Sequence, residues 1–438
     1  VFLKIPYLPD PQGRLKAAGQ KDFDRAYSRV RRFWLDLLES GTEVYVPDER
    51  VNRIWRALLL QNFILADGER FTYGSGLRYN DSYYPQENGF GAHIFAMFGF
   101  KEYATALLPY SMRVSVRPEW AGRKYQNRRA MPLHHLLENY RLTGSVEGFQ
   151  QYREDLYRIA GEITTERRRT MVKENGEKPL HWGLLPSDKP GVDLRASTRQ
   201  VYVVAHNITN AQGLHDFGRF LVRSGLDPEK GKEYLKEAQD FRNDLLKAME
   251  RSAIRLPDRP PFVPLQTLYF KETPDYGPQP YDDLSLGRLQ GSYYHYWADM
   301  QFQYNFFNPA DQVGRWIADY LKQRGGFVLG RTRARFRIGS PYGWVNNNYN
   351  AGYYNYRLRS GDVQEFLLGF YSRLVFGMSR YLHVGSEGTP FIGYNTRNGG
   401  LVQAWLPYPN SATNAETLSM LRCMWILEEL QNNVETGT

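Results

Sequence analysis

Three acidic positions frame the chemistry open to this sequence. Glu387 stands in LHVGSEGTPFIGYN (382–395), between Ser386 and Gly388, with nothing bulky to hide it and no local partner. A carboxylate so placed serves equally as a solvated loop residue or as a base that reaches a water beside a substrate. Asp193 lies in HWGLLPSDKPGVDLRASTR (181–199), flanked by Val192 and Leu194. It either caps the helix that begins near Arg195 or is a carboxyl whose apolar neighbours raise its pKa. Glu87, between Gln86 and Asn88, opens a helix, where it favours the helix dipole or binds hydroxyl groups of a ligand.

Other acids compete with these. Asp188 precedes Asp193 closely enough to exchange roles with it. Asp299, in YYHYWADMQF, falls inside a helical run and either points into a cavity or pairs with an arginine. Asp282 and Asp283 in PYDDLSLG look like a metal-binding pair, but they occupy a Pro/Gly loop rather than a helix. The 8 histidines show no ligand spacing: His134 and His135 are adjacent and face different sides of a helix. Cys423, the sole cysteine, sits among apolar residues, which excludes an internal disulfide and a thiolate zinc site. There is no Gly-x-Ser-x-Gly elbow, and GGFVLG lacks the lysine of a phosphate loop. No metal or other cofactor is expected.

The net charge of +9 and an aromatic content of 15% suit either nucleic acid or sugars. The arginines are dispersed, with RTRARFR (331–337) as the one dense cluster, so a nucleic-acid stripe is not expected. Tyr73, Trp120, Trp182 and Trp344 are candidate stacking platforms, although each alone is more often packing. The stretch GGFVLGRTRARFRIGSPYGWVNNNYN (325–350) contains no acid, and its Arg333, Arg335, Asn346, Asn347 and Asn348 suit a polar or anionic chain. No apolar run reaches the roughly 20 residues of a membrane span.

The elements that must position these residues are mainly helices. VNRIWRALLLQNFILA (51–66) has the apolar spacing of an amphipathic helix, and similar runs recur at 22–40, 88–99, 101–110, 131–143, 147–170, 199–224, 229–250, 291–305, 310–324, 349–358, 362–380 and 414–430. β-branched alternation is confined to pieces such as PFVPLQTLYF (261–270). Five connections are short and alike: GFKEYA, TGSVEGF, SGLDPEKG, NPADQVG and SGDVQEF. Each sets Gly or Asn past one helix and an acid in the first turn of the next. Short loops imply antiparallel hairpins, and 51–66 with 414–430 makes a sixth. The remaining connections, 67–87, 111–131, 171–198, 251–290, 325–348 and 381–413, are long, and strict alternation gathers them at one end. The expected fold is all-α, an (α/α)6 toroid with long loops over one mouth. A solenoid is disfavoured because the hairpins lack a constant repeat.

From about residue 45 to 432 the chain resembles the six-hairpin glycosidases, the (α/α)6-barrel superfamily of trehalase, glucoamylase and the processing α-glucosidases. The likeness rests on the hairpin pattern and on YYPQENGFGAHIFAMFGFKEYATALL (83–108), HWGLLPSDKPGVDLRASTR and SRYLHVGSEGTPF (379–391). These are similar to the first inner hairpin, the segment carrying the general acid, and the last long loop carrying the base. The resemblance implies hydrolysis with inversion, with the acid on the third long loop and the base on the sixth. It therefore implies Asp193 as acid and Glu387 as base, held about 6.5–9.5 Å apart. Glu87, Tyr73, Trp182, Trp344, Asn347, Arg335 and Asp299 are the expected substrate-binding residues.

The expected activity is that of a glycoside hydrolase on an oligo- or polysaccharide, without cofactor, nucleic acid or membrane span. A polysaccharide lyase acting on a uronate-containing glycan and a non-catalytic glycan-binding protein are the alternatives. Residues 1–44 are expected to form a lead-in segment and helix, with 45–438 the barrel. The chain begins at Val1 with no visible signal peptide, and an extracellular or periplasmic location is the expectation.

Overall fold

In a computed structural model of the chain, residues 19–74, 83–116, 129–188, 200–255, 257–269, 302–333, 344–390 and 409–426 are described. Helix α1 (Gln20–Glu39) leads in, and none of its residues is fully buried. Then α2 (Glu49–Leu65) is followed by a π-helical turn at Pro85–Gly89, α3 (Ile94–Met97) and α4 (Lys101–Ser115). Next come α5 (Met131–Thr143), α6 (Glu147–Arg169), α7 (Val204–Ser224) and α8 (Pro228–Ser252). The series ends with α9 (Gln312–Gln323), α10 (Ala351–Arg359), α11 (Val363–Phe376) and α12 (Ser411–Cys423).

The short connections are built as their residues dictate. Gly144 (φ 78°) and Gly225 (φ 70°) end α5 and α7 in the left-handed region that a Cβ disfavours. Asp227 then accepts from Lys230 N at 3.3 Å and Pro228 occupies the first turn of α8, so the chain reverses within four residues. Asp362 caps α11 in the same way, accepting from Glu365 N at 3.1 Å.

Burial separates two rings. In α7 every residue from Val204 to Leu214 is buried. Its partner α8 buries only Tyr234, Ala238, Phe241, Leu245, Ala248 and Met249 along with Gly231, a single stripe facing inward. The α7–α8 pair packs closely because both contact points are glycine: a Cβ on Gly218 would stand 2.8 Å from the Gly231 carbonyl. The ring closes where α12 packs on α2, with Asn414 Nδ2 donating to Gln61 Oε1 (3.2 Å) and Asn62 Oδ1 (3.1 Å). Inner helices with their N-termini at the long loops thus alternate with outer ones.

Two features depart from the sequence expectations. The run expected as one helix over 88–99 is broken into the π-helical turn and the short α3. A small sheet also crosses the mouth: β3 (Phe327–Val328), β4 (Arg331–Arg333), β5 (Trp344–Asn346) and β6 (Gly388–Pro390), antiparallel in that order. A two-stranded ribbon, β1 (Ala66–Asp67) and β2 (Arg70–Phe71), follows α2. The stretch 261–270, read as strand-like, contributes only a bridge between Ile254 and Phe262 among its described residues. No helix among the described residues is long and apolar enough to cross a membrane.

Candidate active site

Glu387 immediately precedes β6, and its placement follows from pairing rather than from its own loop. Asn346 faces Gly388 across the β5–β6 ladder, and Asn347 N donates to the Glu387 carbonyl at 2.7 Å. Ser386 is buried beside it, and the Thr413 hydroxyl at the start of α12 lies 3.1 Å from both the Ser386 carbonyl and Asn348 Oδ1. Gly385 N donates to Gln61 Oε1 of α2 at 3.3 Å. The loop carrying this carboxylate is therefore clamped from three sides, while the residue itself is half-buried.

Glu87 approaches from the first turn of the π-helical segment, also half-buried. Its Oε1 accepts from the Tyr349 hydroxyl. Tyr73 is buried, with Asn348 Nδ2 donating to its hydroxyl at 2.9 Å. Burial, and after it the charges of Glu387 and Glu87, push the Tyr73 hydroxyl well above its ordinary pKa. Tyr349 is shifted in the same direction by burial, then by Glu87, Tyr73 and Glu387. Two carboxylates and two phenols held in their protonated form thus converge at the mouth.

Beneath this group runs a cavity of about 190 Å³, lined among others by Glu87, Phe90, His134, Asp216, Tyr304 and Glu416. His134 anchors its wall, with Nδ1 2.7 Å from Asp216 Oδ2 and Nε2 3.0 Å from the Thr209 carbonyl. Burial pushes the Asp216 carboxyl up, but its bonds with His134 and His215 outweigh that and hold it below the usual range. His93 and His135 pair at 3.1 Å between Nε2 and Nδ1. Burial lowers both, His93 to about 4. His134 and His135, adjacent in sequence, are both buried in the barrel wall.

Several expected contacts take other parts. Asn347, expected to meet substrate, is 0% exposed. Its Oδ1 accepts from Arg331 Nη2 (2.8 Å), and its Nδ2 donates to Thr389 Oγ1 (2.9 Å) and Ser386 Oγ (3.2 Å). With its amide committed inside the protein, it positions the Glu387 loop instead. Tyr73, expected as a stacking surface, is 2% exposed and lies edge-on to Tyr84, so its hydroxyl is the group turned to the site. Trp182 is half-buried with Lys178 Nζ 4.7 Å from its ring centre. Trp344 opens β5. Asp193, Arg335 and Asp299, together with Trp120, Asp282 and Asp283, lie outside the described residues. Asp188 pairs with Val201 through its backbone, 3.0 and 2.8 Å, at the end of the third long loop. Among the described residues no group of three or more His, Cys, Asp or Glu is arranged to hold a metal.

Tyr349, Glu416, Asp216 and Arg373 were not singled out from sequence. The signal for Tyr349 lay within NNNYN, whose Asn346, Asn347, Asn348 and Asn350 all turn out fully buried. Such a run of buried amides organises a site more than it binds one.

No protein-family model matches the chain, and no curated protein matches it. Solved structures do. A glycosidase variant in complex with glucose superposes with a TM-score of 0.56 at 10% identity, covering 87% of this chain and 98% of that one. The wild-type form of a glycosidase gives 0.54 at 11%, with the same coverage. A bacterial glucoamylase complexed with acarbose gives 0.53 at 11%, covering 92% of this chain and 59% of the glucoamylase. The chain therefore has the (α/α)6 toroid fold of the six-hairpin glycosidases.

Proposed function

We propose that this protein is a glycoside hydrolase that cleaves an oligo- or polysaccharide with inversion, Glu387 acting as the base and Asp193 as the acid. The observation that carries the reading is the convergence of Glu387 with Glu87, Tyr73 and Tyr349 at the long-loop mouth of a glycosidase-like toroid. On this reading the attacking water sits beside Glu387, which is half-buried between small residues, and the neighbouring phenols stay protonated and do not compete with it as bases. Water attacks the anomeric carbon from the side opposite the leaving group while Glu387 takes its proton. Asp193 gives its proton to the glycosidic oxygen as that bond breaks, so the two carboxyls exchange roles and are reset through solvent. Glu87, whose Oε1 accepts from Tyr349, lines the cavity and is the carboxylate that would meet a sugar hydroxyl.

The lyase alternative would need a tyrosinate or neutral histidine to remove a proton beside a uronate carboxyl. Tyr73 and Tyr349 are pushed away from the tyrosinate form, and the neutral His93 and His135 are buried in the barrel wall, which favours hydrolysis. The test is product analysis on a glycan panel with wild type and Glu387→Gln. New reducing ends of inverted anomeric configuration by NMR, lost in the variant, support the proposal. An unsaturated uronate product that persists in the variant points to the lyase. A bound glycan without turnover in either form points to a binding protein.

A further inference from the structure

Behind the Glu387 loop two arginines are buried side by side. Arg331, at the start of β4, and Arg373, in α11, are each 0% exposed. Arg373 is well supplied: its Nη2 donates to Glu416 Oε2 and Asn350 Oδ1, and its Nη1 lies 3.4 Å from Thr417 Oγ1. Arg331 is not. Its Nη2 donates to the Asn346 carbonyl (3.1 Å) and Asn347 Oδ1 (2.8 Å), both neutral. Its Nε and Nη1 are buried and meet no acceptor among the described residues, and the Arg373 Nε is in the same position.

The charges do not balance. The ionisable groups that act on Arg331 are Arg373, Tyr354 and Glu416. Glu416 is already committed, with Oε2 to Arg373 and Oε1 accepting from Tyr349 N at 3.0 Å. Tyr354 uses its hydroxyl to donate to the Gly330 carbonyl at 2.5 Å. Among the described residues two guanidinium groups face one carboxylate, leaving one positive charge in the interior. Arginine does not deprotonate to relieve this, and an uncompensated buried charge is among the costliest features a fold can carry.

We propose that a small monovalent anion, chloride in ordinary buffers, binds against the Nε–Nη1 edge of Arg331. One negative charge completes the local balance, whereas a phosphate would overshoot it. The complete burial of Arg331 also favours a monatomic ion over a carboxylate. Through Asn347, which joins Arg331 to Ser386 and Thr389, the anion would stiffen the loop that presents Glu387. The inference rests on the buried charges and stands or falls independently of the glycosidase reading.

The test is thermal unfolding of the full chain at constant ionic strength, with chloride exchanged for gluconate, which is monovalent but too large. Above the dissociation constant the midpoint should rise by about 1.5 °C per tenfold increase in chloride, for a chain of this length. It should be flat in Arg331→Met. Should that variant not fold, Asn347→Asp supplies a fixed carboxylate to the Arg331 guanidinium and should remove the halide dependence. Crystals grown in bromide should show an anomalous peak against Arg331 Nε and Nη1. Equal midpoints in chloride and gluconate would overturn the proposal, as would a bromide map without that peak. A peak in the crystal without a halide-specific shift in solution would mean an adventitious ion only, and would also overturn it.

Discussion

Replacing Asn347 by alanine separates a residue that clamps the site from one that touches substrate. The side chain makes three close hydrogen bonds: one from the charged Arg331 at 2.8 Å, and two to hydroxyls at 2.9 and 3.2 Å. A bond from a charged donor contributes about 1.5–3 kcal/mol and each neutral one about 1 kcal/mol, so the loss is about 3.5–5 kcal/mol. The unfolding entropy of a 438-residue chain is about 0.9 kcal/mol/K, which converts that loss to a fall of about 4–5 °C in the melting midpoint. Ser386 and Thr389 keep second partners at Gly388 O (3.3 Å) and Phe376 O (2.8 Å), so the damage should stay local. The Asn347 N bond to the Glu387 carbonyl survives, but the strand that carries it loses its side support. Because a misplacement of about 1 Å can cost a hundredfold in rate, kcat should drop by about 10–100-fold with little change in KM. Differential scanning calorimetry and steady-state kinetics on a glycan substrate supply both readouts. An unchanged midpoint with a raised KM and intact kcat would refute the reasoning and return Asn347 to direct sugar binding.

Glu387→Gln should lower kcat by about 10²–10⁴-fold while leaving the melting midpoint within a degree or two, checked by kinetics beside circular dichroism. His93, whose pKa burial lowers to about 4, should make the fold acid-sensitive. The unfolded histidine titrates near 6.5, so it binds protons that the folded one refuses, and stability is lost as pH falls from about 6.5 toward 4. In urea titrations across that range His93→Gln should show a shallower slope than wild type, and equal slopes would count against a buried neutral His93. Gly218→Ala drives a Cβ to 2.8 Å from Gly231 O and 3.0 Å from Leu235 N, both backbone atoms. It should cost about 1–3 kcal/mol by denaturant unfolding, and a neutral result would mean that α7 and α8 are less tightly apposed.

The helical frame was legible because its signals are local. Gly225 and Asp227 specify the end of α7 and the start of α8 within three residues, and the stripe of α8 from Tyr234 to Met249 repeats at helical spacing. The mouth was less legible because its determinants are distant in the chain. Pairing β5 with β6 joins Trp344 to Pro390, and neither short strand has an alternating pattern long enough to be noticed. The fracture of the first inner helix at the π-helical turn likewise leaves no mark beyond Pro85 and two glycines. Glu387 could be picked out by its small neighbours, but what holds it could not. Asn347 looks from sequence like an exposed amide; only the tertiary packing that buries Arg331 behind it reveals its internal commitments.

The mouth sheet has a consequence for how a toroid of this kind can be altered. Because β5 belongs to the fifth long connection and β6 to the sixth, the stretch bearing Glu387 takes its shape from a neighbour in the ring. A designer who transplants the 381–390 segment into another toroid would carry over the Glu387 carboxylate and leave its mould behind. The heritable module is the pair of loops with the strands that stitch them, so substitutions at 344–347 and at 386–390 should succeed or fail together in recombination libraries.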